Sequence, residues 1–416
     1  MSKQSVPLIR RCSVPGCIRK IGLAWLFAVV MEQALLPQAL RDLEKLEGLA
    51  RMSLLRVAAI TCVVSLLLFG ISRLADTARA ERWGMAGLFG ILAIVCLRSS
   101  FTWAFFAVCV LILAALLVFG NYGWDSRPEP VFQRQKARGV AFWMTVGLSG
   151  AFFLLVSSWT VGRVFAFCSP TYDFGIFSQM FYQMKESGLP MTTLERDGLL
   201  SHFAVHVSPI YYLLLPFYCL IPTPATLQVL QAAVVTSAVI PLWKIGTHYG
   251  LTGTQRMLIC AVLLLYPAYA GGTGYDIHEN CFLTPLLLWL FYGIDRRNIA
   301  LTAAAAMLTL TVKEDAAVYV AVIGLWLIVR SVLRYRTSDR GMCITGAVLL
   351  AASLAWFFLV TRYLAKHGDG VMTYRYQNLI FDGSSSLLTV IRSVVLSPMK
   401  AIYECVDREK LQFLAL

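Results

Sequence analysis

The chain has 416 residues, 58% of them hydrophobic and 14% charged, with a mean hydropathy of +0.69. Soluble domains run near 45–50% apolar and about 25% charged, so a water-soluble globule is excluded, and the aromatic content excludes a disordered chain. The net charge of +13 comes from 36 Lys+Arg against 23 Asp+Glu, but the cations sit in short runs between apolar segments, as cytoplasmic loops do, and no nucleic-acid partner is expected.

An all-α, polytopic helical membrane protein remains, with the lipid bilayer as its first partner. A helix needs roughly 20 apolar residues to cross about 30 Å of hydrocarbon. The N-terminus carries Arg10, Arg11, Arg19 and Lys20 without a following short apolar core and small-residue cleavage site, so no cleaved signal peptide is expected. The stretch 21–40 is apolar but interrupted by Glu32 and Pro37. Spans are expected at 56–74, 83–98, 101–122, 140–163, 226–243, 256–272, 281–294 and 342–361. With the segments argued below, the total is about 10–11 spans. Residues 1–139 read as an accessory region without a comparable polar cluster, ending in a linker around Arg127-Pro128-Glu129-Pro130. Residues 140–380 read as the core and 381–416 as a short C-terminal segment. Most cysteines stand singly in apolar runs and act as small hydrophobes, and Cys12 and Cys17 have no second pair to make a zinc site.

Basic clusters orient the core. They lie at Arg134, Lys136 and Arg138; at Lys244 and Arg256; at Arg296 and Arg297; and at Arg330, Arg334, Arg336 and Arg340. If all are cytoplasmic, an even number of crossings separates each from the next. The segment 207–222, with Pro209, Pro216 and Pro222, is then an interfacial or re-entrant helix on the outer side. The stretch 299–333, interrupted by Lys313-Glu314-Asp315, is a hairpin of two short helices, because three ionisable residues in the middle of one lipid-crossing helix are costly. The loop 164–206, the loop 273–280 and the apex 313–315 thereby fall on one outer side.

These three places hold most of the ionisable residues that are not loop cations. In Tyr172-Asp173-Phe174-Gly175-Ile176-Phe177-Ser178-Gln179, a carboxylate among aromatics suits a general base or a metal ligand, and equally a cap for a helix over 174–184. In His202-Phe203-Ala204-Val205-His206 the i, i+4 spacing puts both imidazoles on one helical face, able to share a metal or to contact phosphate; the plain alternative is a pair of interfacial histidines. Tyr275-Asp276-Ile277-His278-Glu279-Asn280 supplies oxygen and nitrogen ligands within six residues, or is an ordinary polar turn. Lys313 can bind phosphate as a point charge, or neutralise Glu314 and pin the hairpin.

In order, YDFGIFSQ, HFAVHVSP with a following LLLPFY, GYDIHE and VKED resemble a bacterial family of predicted membrane proteins, domain of unknown function 2079, over about 140–380. That family is similar to the GT-C membrane glycosyltransferases. The resemblance implies a core with a long outer loop after its first span, a polyprenyl-phosphate sugar donor, and transfer to a glycan, lipid or protein acceptor at the outer face of the bacterial plasma membrane. It implies that Asp173 is the loop carboxylate of those enzymes. That loop holds no Asp-x-Asp or Glu-x-Asp pair; its other acids are Glu186, Glu195 and Asp197. The soluble C-terminal domain that GT-C enzymes often carry is not expected, because the chain stops at Leu416.

The expected chemistry places Asp173 as base, with Lys313 and Glu314 as further catalytic residues. Tyr172, Gln179, His202, His206, Tyr275, Asp276, His278 and Asp315 are expected to bind substrate. A divalent cation, Mg or Mn, would be held by Asp276, His278 and Glu279. Tyr211, Tyr212 and Tyr218 would line the entrance for the lipid. A transporter or flippase of a lipid-linked or small polar substrate is the alternative, and a non-catalytic assembly factor a third reading.

Overall fold

The computed structural model describes residues 14–122, 139–169, 172–196, 198–333, 339–368, 370, 373–384 and 386–415. The linker at Arg127–Pro130, the cations Arg134, Lys136, Arg138, Arg334 and Arg336, the N-terminal Arg10, Arg11 and Cys12, and the acid Asp197 lie outside the described residues. Among the described residues the protein is all-α apart from one short hairpin, and it divides into two compact units.

The first unit opens with α1 (Val14–Leu35), α2 (Glu47–Arg51), α3 (Leu54–Leu74), α4 (Ala78–Leu97) and α5 (Trp103–Tyr122). This N-terminal region buries charge. Glu81 is 2% exposed and pairs with Arg19 (2.6 Å) and Lys20 (2.9 Å), while buried Glu32 pairs with Arg56. An ion inside an apolar bundle persists only when neutralised, and each of these carboxylates has its cation.

The second unit runs through α6 (Val140–Phe165), α7 (Asp173–Ser187), the strands β1 (Met191–Thr192) and β2 (Leu200–Ser201), α8 (Tyr211–Leu220), α9 (Pro224–Thr236), α10 (Val239–His248), α11 (Gly253–Leu265), α12 (Pro267–Thr273), α13 (Leu283–Asp295), α14 (Ile299–Leu310), α15 (Ala316–Leu333, to Ser331 in this unit) and α16 (Arg340–His367). The chain then returns to the first unit with α17 (Leu387–Leu396), α18 (Pro398–Cys405) and α19 (Arg408–Ala415). There Met399 joins the core of α1, α4 and α5, and Lys400 donates to the Leu43 carbonyl (2.6 Å), so the C-terminal segment packs on the N-terminal helices.

Local chemistry sets the helix limits. Asn298 and Asp339 cap α14 and α16 by accepting from Leu301 N and Met342 N, and Thr252 with Gln255 forms a capping box on α11. Gly188, at φ +76°, terminates α7 in the left-handed region. The span expected at 226–243 lies within one apolar span, Pro224–His248, with a short interruption between α9 and α10 about four residues before Pro241, whose ring crowds the carbonyl there. Pro267 forces Tyr266 into extended backbone and bends α12 by 54° from α11.

Contacts sort the second unit into two ends. At one, Phe142 meets Trp243 (5.6 Å between ring centroids), Arg256 lies over Trp243, Lys244 over Tyr292, and Arg297 pairs with Asp339. At the other, Arg163 and Gln228 reach Asp276, Lys313 reaches Glu279, and His206 reaches Glu314. Each of α6, α9–α10, α11–α12, α13, α14, α15 and α16 runs from one end to the other, and α7 and α8 stay at the second. The break between α14 and α15 therefore reverses the chain, as a hairpin requires.

Among the described residues, five helices are long and apolar enough to cross a membrane, or six counting the bent pair α11–α12. The count falls below the expected total because α13 and α14 have only 13 and 12 residues and the described apolar parts of α5 and α15, Trp103–Val118 and Ala316–Ser331, are also short. At Gly346 a Cβ would lie 2.7 Å from the Gly324 carbonyl oxygen and 2.9 Å from Leu327 Cβ, so α15 and α16 touch backbone to backbone.

Candidate functional site

The loop after α6, the turn after α12 and the break after α14 meet at the second end of this unit. Aromatic packing holds them there. Phe177 on α7 lies 5.5 Å from the His202 ring, 5.4 Å from Tyr211 and 6.0 Å from His278, and buried Phe181, Ile277, Phe282 and Val312 complete the same core.

Glu279 is the hub. It is 1% exposed, with Oε1 3.0 Å from Lys313 Nζ and Oε2 accepting from the Tyr211 hydroxyl (2.6 Å). Burial alone would raise its pKa, but His278, Lys313 and the Tyr211 hydroxyl hold it at about 2, so Glu279 is a fixed anion. Burial pushes the His278 imidazole below its ordinary value, against the opposing pull of Glu279. The Tyr211 hydroxyl is driven up, first by burial and then by Glu279.

Two carboxylate–imidazole pairs flank the hub. His206 Nδ1 lies 2.9 Å from Glu314 Oε1, and Glu314 Oε2 accepts from Val207 N (3.2 Å). Ile210 N donates to the Thr311 carbonyl (2.9 Å), so the 206–210 segment is laced to the hairpin apex. Burial would raise the Glu314 pKa, but the His206 bond and charge keep it below its ordinary value. His202 Nδ1 lies 2.9 Å from Glu195 Oε1 in a buried setting. Gly368, at the end of α16, packs so closely on the Ala204 carbonyl that no side chain fits there.

Asp276 is fully buried. Its Oδ1 accepts from Arg163 Nη2 (3.0 Å) and Gln228 Nε2 (3.1 Å). Gln231 holds the turn that carries it, donating toward the carbonyls of Thr273, Tyr275 and Asp276 and accepting from His278 N (2.7 Å). Burial raises the Asp276 pKa and Arg163 opposes the rise.

Asp173 is half-buried in the first turn of α7, and its charge acts on both Asp276 and His278. The capping alternative is not realised: α7 begins at Asp173 itself, with Tyr172 in the cap position and no side-chain cap bond. Tyr172 is 73% exposed, Tyr275 half-buried and Asp315 exposed at the apex. Gln179 is committed to the hairpin, bonding Thr192 and Thr193 through both atoms of its amide.

Two expectations are corrected. Asp276, His278 and Glu279 do not form a ligand set, because Asp276 turns to Arg163 and Gln228 while Glu279 turns to Lys313 and Tyr211; among the described residues no three His, Cys, Asp or Glu side chains group to hold a metal ion. Nor can Tyr211 and Tyr218 line a lipid entrance, because both are buried in the core; Tyr212 is 37% exposed and bonds the Gly188 carbonyl. Sequence reasoning missed Arg163, Gln228 and Gln231. The available signal was a lone arginine at the C-terminal end of an apolar span and two glutamines three apart on another, which share one helical face.

No curated protein matches this chain, and no solved structure matches it. Residues 163–416 match the family described as "Predicted membrane protein (DUF2079)". That match starts at Arg163 and takes in the ion network, and the chain belongs to this family of predicted membrane proteins.

Proposed function

We propose that the protein is a membrane glycosyltransferase that moves a sugar from a polyprenyl-phosphate donor to an acceptor hydroxyl at the outer face of a bacterial plasma membrane. The observation that carries this reading is the placement of half-buried Asp173 beside a buried, charge-fixed network at one end of the bundle. In the reaction, the acceptor oxygen attacks the anomeric carbon and its proton passes to the Asp173 carboxylate. The bond from that carbon to the phosphate oxygen breaks, and polyprenyl phosphate leaves as the anion. Lys313 spends one donor on Glu279 and keeps the others for the leaving phosphate. Glu314 and His206 act as positioning residues that hold the Lys313 apex in place. No metal step is part of this scheme.

Carriage of a lipid-linked or small polar substrate across the membrane is the second reading. The bent helix pair α11–α12 favours it, since transporters build sites at such breaks.

The test is incubation of the purified protein with radiolabelled polyprenyl-phosphate sugars. Asp173→Asn is expected to lower transfer about 100-fold or more with unchanged melting. Full transfer by that variant removes the base assignment. Vectorial uptake into liposomes without a covalent product favours the transport reading.

A further inference from the structure

The Asp276 cluster contains more hydrogen-bonding capacity than the protein itself uses. Asp276 Oδ1 takes both available donors, while Oδ2 is buried with no partner among the described residues. Two further atoms of the same bonded trio, Gln228 Oε1 and Arg163 Nε, are also buried without partners. Asp276 and Gln228 are 0% and 1% exposed, and the Arg163 side chain, at 16%, is the least buried of the three. A buried polar atom left unpaired costs roughly 1–3 kcal/mol, so three in one trio mark a place built to meet something else.

The donor and acceptor pattern discriminates among ligands. The trio offers two acceptor oxygens and one N–H donor. A phosphate or carboxylate accepts from Arg163 but brings negative charge and no donor to Asp276 and Gln228. A metal ion or an ammonium group satisfies the oxygens but lies against the guanidinium. A hydroxyl both donates and accepts. Two adjacent hydroxyls give one donor to each oxygen and a lone pair to Arg163 Nε.

We propose that Arg163, Gln228 and Asp276 form a recognition subsite for a vicinal diol on a neutral sugar ring, next to Asp173, and that the hydroxyl pattern read there sets which sugar is accepted. This deepens the sugar-transfer reading and rests on it for naming the diol as a sugar's. Gln231 is the positioning residue, because it fixes the turn on which Asp276 stands.

The experiment uses the full chain in lipid nanodiscs and a panel of uncharged methyl pyranosides of hexoses and pentoses. Each compound that binds is compared with its monodeoxy analogues by saturation-transfer NMR. At least one glycoside is expected to bind, and deletion of either hydroxyl of one vicinal pair is expected to weaken it about tenfold or more, because the partner atom is left unpaired. Gln228→Met is expected to weaken binding by a similar factor. If that variant does not fold, the deoxy series on the unaltered chain decides alone. The subsite is overturned if no glycoside binds, or if every deoxy analogue binds as well as its parent, the result expected where the trio holds only a buried water. Radiolabelled donors separate the two ideas. Equal transfer of deoxy and parent sugars removes the subsite and leaves the transfer reading, whereas hydroxyl-dependent binding without any transfer does the reverse.

Discussion

Glu279 shows how a single carboxylate can be structural and still decide chemistry. Its pKa of about 2 lies below the ordinary 4.5, so its ion-pair contribution is complete above about pH 4.5 and is lost as the pH falls from there toward 2. Glu279→Gln leaves Lys313 buried without its counter-ion and is expected to cost about 3–5 kcal/mol, whereas the double variant Glu279→Gln/Lys313→Met recovers most of that loss. Thermal unfolding in detergent from pH 3 to 8 checks both; equal stability of the single and double variants would contradict the pairing. Asp173, Asp276, Glu279, Lys313 and Glu314 were legible in the sequence because an ionisable residue in an apolar chain is conspicuous. Their partners were not. Asp276 finds Arg163 across 113 positions, and no local period carries such information. Gln228 and Gln231 look like tolerated polar residues until the turn that needs them is folded against them.

At the level of helices, the reversal at 311–315 could be read from Lys313-Glu314-Asp315, since a span cannot carry three charges at its centre. The helix expected over 174–184 is α7, extended slightly at both ends. The hairpin of β1 and β2 was not foreseen, because two-residue strands leave no alternation to detect. The span expected over 226–243 lies within Pro224–His248, and its short interruption between α9 and α10 sits where Pro241 removes a backbone donor. Backbone contact between α15 and α16 also escapes a hydropathy reading, which sees Gly324 and Gly346 only as apolar. Gly346→Val is expected to destabilise the protein by roughly 1–3 kcal/mol through overpacking. Gly150→Ala, where a Cβ meets nothing within 4 Å, serves as the neutral control. Unfolding midpoints of the two variants measure the contrast, and a Gly346→Val protein as stable as the control would refute the close approach.

For the molecule as a whole, the separation of cations from the acid and imidazole cluster makes a prediction about orientation. With the other cysteines replaced by serine, exposed Cys168 at the site end is expected to react with a membrane-impermeant maleimide added to intact cells. Arg296→Cys, at the cationic end, is expected to react only after permeabilisation. Labelling of both from the same side would remove the two-ended arrangement. Helix length adds a last point. At 1.5 Å per residue, α13 and α14 extend only about 20 and 18 Å, against a hydrocarbon core of about 30 Å. Beside them the bilayer must pinch inward, or water must descend into the protein by roughly 10 Å. Under the sugar-transfer proposal, a long-tailed donor sliding up to this wall would offer its head to Lys313 from within the leaflet, without first being lifted clear of its neighbours.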